Sequence, residues 1–221
     1  MKNVMKAVAA LMLLMVIAVG CNKEIIYDGH EYVDLGLPSG TLWATCNVGA
    51  DTPEGRGSFF AWGETQPKET FRMDNYKYWV DYYYLTKYCH VSYAGYNGYK
   101  DDLTVLQQED DAATTNWGND ARTPTREEWQ ELLDNCNSRW TKKNHVSGML
   151  FMGLNGKTLF IPEVGCSYIG SDCYYWSSSL YTDHFPTQAW HVWFNHSTNE
   201  TKLRHESRDI GMPIRPVRSA Q

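Results

Sequence analysis

Only one stretch of this 221-residue chain carries a helical apolar stripe, and that limits the fold more than any other feature. Glu128 stands three residues after Thr125, with Pro124 before it, which is the spacing of a capping box. Trp129, Leu132, Leu133 and Cys136 then fall at i, i+3, i+4 and i+7, while Arg126, Glu127, Gln130 and Glu131 face the other way. The spacing predicts a helix that starts at Thr125 and ends near Asn137. Elsewhere the apolar residues come in short runs broken by glycine and proline. Residues 31–35 and 41–45 read as the strands of a hairpin across Leu37-Pro38-Ser39-Gly40. Residues 149–154 and 157–161 flank Asn155-Gly156, the pair that best tolerates the positive φ angles of a tight turn. Residues 174–179 read as extended. Residues 189–194 alternate strictly, with Trp190, Val192 and Phe194 on one side and Ala189, His191 and Trp193 on the other. Residues 210–217 close the chain as an irregular or edge strand, because Pro213 and Pro216 interrupt it. Residues 49–70 are a long irregular stretch, and the tyrosine-crowded residues 71–105 are only weakly periodic. This order predicts an α+β domain with modest helix content.

The N-terminus has the three parts of an export signal. Lys2 and Lys6 supply positive charge, residues 7–19 are uncharged and apolar, and Ala18-Val19-Gly20-Cys21 follows. That run is shorter than the roughly 20 residues a membrane span needs. Small residues before the bond and a thiol after it are what a lipoprotein peptidase requires. We therefore expect residues 1–20 to be a lipoprotein signal peptide and Cys21 to be the lipidated first residue of the mature chain. Residues 21–28 are then a lipidated tether and residues 29–218 the domain. Asn22-Lys23-Glu24 is similar to the short Lys/acidic signal of surface-exported Bacteroides lipoproteins, which implies an outer-membrane, surface-exposed chain, while the sequence leaves a periplasmic face open. Acyl chains would be its sole hold on the membrane.

Charge narrows the partners further. The net charge is −6, and loss of Lys2 and Lys6 with the leader takes it to −8. An acidic domain repels nucleic acid, so no nucleic-acid partner is expected. The chain has nine Trp and fifteen Tyr, and aromatics make up 14% of it. So many rings mean either a core stitched from irregular segments or a surface that stacks on sugars, and composition does not separate the two. Besides Cys21, Cys46, Cys89, Cys136, Cys166 and Cys173 remain, and an odd count leaves at least one thiol free. Cys166 and Cys173 flank a glycine-containing loop and are one candidate bridge; no connectivity is assigned.

Four blocks carry a resemblance. They are residues 31–44, Glu-Tyr-Val-Asp-Leu-Gly-Leu-Pro-Ser-Gly-Thr-Leu-Trp-Ala; Phe60-Ala61-Trp62-Gly63-Glu64-Thr65; Asp110-Asp111-Ala112-Ala113 with Asn116-Trp117-Gly118 and residues 122–129; and Tyr175-Trp176-Ser177-Ser178-Ser179 with Ile214-Arg215-Pro216-Val217-Arg218. Together they resemble the Fibrobacter succinogenes major paralogous domain family of Bacteroides-type lipoproteins, over residues 30–218. That family looks like a branch of the C-type lectin-like fold, related to the formylglycine-generating-enzyme domain. The resemblance implies short twisted antiparallel strands, one or two helices, and long loops that carry ligand sites. It implies a non-catalytic module that binds a glycan or a surface protein, as an adhesin component. The alternatives are a divergent formylglycine-generating-type enzyme or a structural subunit of a surface complex. Trp62, Trp176, Trp190 and Trp193 are the candidate ligand-stacking residues.

No constellation of catalytic residues stands out. The late copper-binding cysteine pair of formylglycine-generating enzymes has no counterpart, since no cysteine follows Ser179. Ser177, Ser178 and Ser179 lack a nucleophile elbow, and hydroxyls beside a tryptophan more often satisfy local backbone groups. No cofactor is expected, with calcium the one candidate. Glu109, Asp110 and Asp111, with Asp120 further on, form the carboxylate cluster, and Asp110, Asp111 and Asp120 are the ligands such an ion would use. Their spacing is not that of an EF-hand, and the simpler reading is loop-capping hydrogen bonds before the helix. Arg122, Arg215 and Arg218 read as Arg–carboxylate locks between the helix start and the last strand.

Overall fold

The computed structural model describes residues 24–81, 84–118, 120–170 and 172–220. Among them the capping box closes as its spacing requires. The Thr125 hydroxyl accepts the Glu128 N–H at 3.2 Å, and the Glu128 carboxylate accepts the Thr125 N–H at 2.9 Å. The helix runs Arg126–Asn135 and buries Trp129 and Leu132. It stops because Cys136 is extended and feeds straight into a strand, with neither glycine nor proline to announce the end. A shorter helix precedes it at Ala112–Trp117, capped by the Asp111 carboxylate and closed by Gly118 at φ 105°. We call these α1 (Ala112–Trp117) and α2 (Arg126–Asn135).

The rest is β structure in small antiparallel sheets. Strands β1 (Ile25–Tyr27), β2 (His30–Asp34) and β3 (Leu42–Ala44) pair in order, and β12 (Val217–Arg218) joins the far side of β3. The β2–β3 hairpin pairs Tyr32 with Ala44 and Asp34 with Leu42. Strands β4 (Trp79–Val80) and β5 (Tyr84–Leu85) form a small ribbon. Strands β6 (Asn137–Lys143), β7 (Val146–Met152) and β8 (Thr158–Pro162) form a meander, with Asn155-Gly156 in the last turn. Strands β9 (Cys173–Leu180), β10 (Gln188–Asn195) and β11 (Glu200–Ser207) form another. The architecture is thus mainly β, α+β in class, with few and short helices.

The β9–β10–β11 sheet lies between two aromatic cores. On β9, Tyr174, Trp176 and Leu180 join Trp62, Tyr78 and Tyr88 in one core, while Cys173 and Tyr175 join Trp43, Trp129 and Phe151 in the other. On β10, Ala189 and Trp193 face the first core, and Val192 and Phe194 face the second. Burial on both faces explains why every residue of β9 is buried. Two reciprocal bonds strap the irregular segment around residue 60 onto β9. The Trp62 indole donates to the Ser177 carbonyl, and the Trp176 indole to the Phe60 carbonyl, each at 2.8 Å.

Several expectations need correction. The tether does not reach residue 28: β1 pairs with β2, and the Arg218 guanidinium lies 3.4 Å over the Tyr27 ring. Strands β6 and β11 were not foreseen. Cys166 and Cys173 do not bridge; all five described cysteines are free, and this pair sits in different cores. The arginine locks form in part: one is local to α2 and one reaches the last strand. Arg122 grips Glu128 with both terminal nitrogens at 2.5 Å, and Arg218 meets Asp120 at 3.0 Å. Among the described residues Arg215 meets no carboxylate, and it donates to the Ala44 and Thr45 carbonyls instead. The Arg218–Asp120 pair joins the last strand to the approach to α2, and backbone pairing between Arg122 and Val217 reinforces that join.

Candidate functional site

Burial removes most of the proposed stacking residues. Trp62 and Trp176 are fully buried, with their indole N–H groups spent inside the core. Trp193 is buried too; the Arg204 guanidinium covers its ring at 3.6 Å and its N–H reaches Asp172 at 3.2 Å. No ligand can stack on these three. Trp190 alone is half-buried. It lines a groove of about 460 Å³ between α2 and β11, beside Gln130 and Lys202. Even there the Arg126 guanidinium lies over the ring at 4.4 Å, and Tyr181 and His205 meet it edge-on.

The carboxylate cluster is likewise committed to the fold. Asp110 is buried and takes ion pairs from Lys77 at 2.8 Å and Lys87 at 2.6 Å, and a hydrogen bond from the Tyr88 hydroxyl at 2.8 Å. Burial alone would raise its pKa, but the two ammonium groups outweigh it and hold the carboxyl well below the usual range. Asp111 caps α1 and accepts from the Thr123 hydroxyl and N–H. Burial pushes its carboxyl up despite those bonds. Asp120 belongs to Arg218. Among the described residues no group of three or more His, Cys, Asp or Glu is arranged to hold a metal ion.

Two of the three serines satisfy backbone groups. Ser177 Oγ accepts from the Ser179 N–H, and Ser179 Oγ from the Arg126 N–H, both at 3.0 Å.

Apart from Tyr168 and Phe185, the exposed Phe and Tyr rings among the described residues are tyrosines of one segment that no periodicity announced. Tyr84, Tyr93, Tyr96 and Tyr99 are 41%, 71%, 43% and 39% exposed, all within sixteen residues. A parallel bridge between Leu85 and Gly95 lays the two ends of this segment side by side. Asp101 clamps it: its carboxylate accepts the Tyr88 N–H at 2.7 Å, the Cys89 N–H at 3.0 Å and the Tyr99 hydroxyl at 2.9 Å. Tight turns place Tyr93 and Tyr96, with Gly95 N–H bonded to Ser92 and Tyr99 N–H to Tyr96. Asn97 and Gly98 take φ of 52° and 78°. At Gly95 a Cβ would stand 1.8 Å from the Tyr99 carbonyl oxygen, so only glycine closes the turn. The result is a set of exposed rings on pinned backbone, able to offer aromatic faces and hydroxyls at little ordering cost. The one hint in the sequence was the density of tyrosine around Gly95-Tyr96-Asn97-Gly98.

No known family model, curated protein or solved structure matches this chain. Cys21, the expected lipidation site, lies outside the described residues. Among the described residues no helix is long and apolar enough to cross a membrane.

Proposed function

We propose that this is a lipid-anchored outer-membrane surface protein whose C-type lectin-like domain binds glycans without catalysis. The observation that carries the reading is the set of four exposed tyrosines on the clamped 84–99 segment. Aromatic faces pack against the CH-rich faces of sugars while phenol hydroxyls bond to sugar hydroxyls. Small antiparallel sheets joined by long loops support a lectin-like scaffold. The paired state of Asp110, Asp111 and Asp120 favours binding that does not need calcium.

Two expected results follow. On an array of glycans and matrix proteins, the purified protein binds a defined subset of glycans. The Tyr93→Ala/Tyr96→Ala variant loses roughly tenfold to a hundredfold in affinity, from about 1 kcal/mol per ring. Its melting temperature stays put, because both rings are exposed. Binding to matrix proteins alone would move the reading to a protein partner, and unchanged binding by the variant would overturn it. For the anchor, cells fed labelled palmitate should label the wild-type chain and not Cys21→Ala, which is released from membranes. Equal labelling of both would remove the anchor.

A further inference from the structure

A recess of about 230 Å³ opens beside the two helices and is lined by none of the four exposed tyrosines. Val105 and Leu106 line it together with Asp111, Arg122, Thr123 and Ser178 of β9. Several of the sequence blocks, distant along the chain, thus meet at one hollow. Ser178 is 2% exposed, and its backbone is fully used. Its N–H donates to the Pro124 carbonyl at 2.8 Å, and its carbonyl accepts the Leu106 N–H at 3.0 Å. Its hydroxyl, unlike those of Ser177 and Ser179, has no partner. A buried polar group left unpaired costs free energy, and such groups in folded proteins are rare.

We propose that this recess binds a neutral hydroxylated molecule of monosaccharide size, held by the Ser178 hydroxyl and the Asp111 carboxylate. Charge decides against anions. Two opposite charges line the recess, Asp111 and Arg122, and the Arg122 guanidinium is already spent on Glu128. Arg122 lies close enough to feel the Asp111 charge, which opposes a cationic ligand beside it. Asp111 Oδ2 takes the Thr123 N–H at 2.8 Å, and a carboxylate oxygen has room for a second donor. A ligand O–H supplies that donor, and a second ligand hydroxyl pairs with Ser178. Val105 and Leu106 receive an apolar face, as the CH side of a sugar ring presents. The volume exceeds the roughly 30 Å³ share of one water, yet falls below the 300–1,000 Å³ of typical drug-sized pockets.

The test uses the full chain and free glucose, galactose, mannose, fucose and N-acetylglucosamine as separate probes in saturation-transfer NMR. At least one sugar should receive transfer from the wild-type protein. Ser178→Ala should weaken it about three- to tenfold, the worth of one neutral hydrogen bond. The variant should be no less stable, since the lost hydroxyl pairs with nothing in the protein. Val105→Trp, at an exposed position on the rim, should abolish transfer by filling the mouth. Tyr93→Ala/Tyr96→Ala should leave transfer intact, which separates this recess from the tyrosine loop. No transfer to the wild type from any of the five sugars, or equal transfer in Ser178→Ala and Val105→Trp, overturns the proposal and leaves the recess to water.

Discussion

Replacing Trp129 by alanine should cost about 3–5 kcal/mol of stability, the range for deleting a fully buried large aromatic. The side chain anchors α2 to the second core. Its ring centre lies 4.6 Å from that of Trp43, 6.1 Å from Tyr175 and 6.2 Å from Phe194. Its indole N–H donates to the Trp176 carbonyl at 3.2 Å, so truncation also strands a buried acceptor on β9. A domain of this size commonly holds about 5–15 kcal/mol in all, so the variant should sit near the edge of folding. Urea unfolding reads it: the midpoint falls steeply while the slope is kept. A loss under 1 kcal/mol would mean that the helix does not hold this core together.

Acid should weaken the fold well before its carboxylates titrate, because of His191. The imidazole is buried between β9 and its own strand, stacked on Tyr174 at 5.6 Å and edge-on to Trp176 at 6.2 Å. Burial is the main cause that pulls its pKa down to about 4. The unfolded chain titrates near 6.5. Above that value both states are neutral and stability is complete. As pH falls from 6.5 towards 4, the unfolded state takes a proton that the folded state refuses. Stability therefore drops by about 1.4 kcal/mol per unit, or about 3 kcal/mol across the window. His30 and His90, also lowered chiefly by burial, act in the same direction. Asp110 adds its own loss only below about 4, since its carboxyl is held ionised in the fold. His191→Phe should flatten most of the decline between pH 6.5 and 4, whatever its absolute stability. A wild-type curve flat over that window would contradict a buried neutral imidazole.

What could be read from residues alone follows the range of the signal. Helix α2 was legible because its cap, stripe and first-turn charges all lie within twelve residues. The β2–β3 hairpin and the Asn155-Gly156 turn were legible for the same reason. Alternation on β10 correctly separated Val192 and Phe194 from Ala189 and Trp193. It did not reveal that both sides of that strand are covered. A sheet enclosed by two cores and a sheet with one wet face give the same period of two, so Trp176 and Trp193 read as surface candidates. Strand β11 hid because Lys202 and Arg204 alternate with the half-buried Leu203 and His205, a pattern short on apolar residues. Strand β1 hid behind its closeness to the expected lipid anchor. The tyrosine segment was opaque for a backbone reason: its shape comes from short turns and from Tyr88 and Asn97 at positive φ, which leave no period to find. Arg208 is similar. Fully buried, it donates to the Tyr88, Lys87 and Pro186 carbonyls and anchors the base of that segment, contacts that join residues over a hundred positions apart in two cases.

The most direct measurement follows the tyrosine rings themselves. With ring-labelled tyrosine, two-dimensional NMR resolves exposed from buried side chains while a glycan selected on the array is titrated in. If the loop is the sugar surface, the resonances of Tyr93, Tyr96 and Tyr99 shift in step with one dissociation constant, while those of the buried Tyr32, Tyr76, Tyr88 and Tyr175 stay where they are. If the glycan binds and the three loop rings do not move, the tyrosine segment is not where this protein meets its ligand.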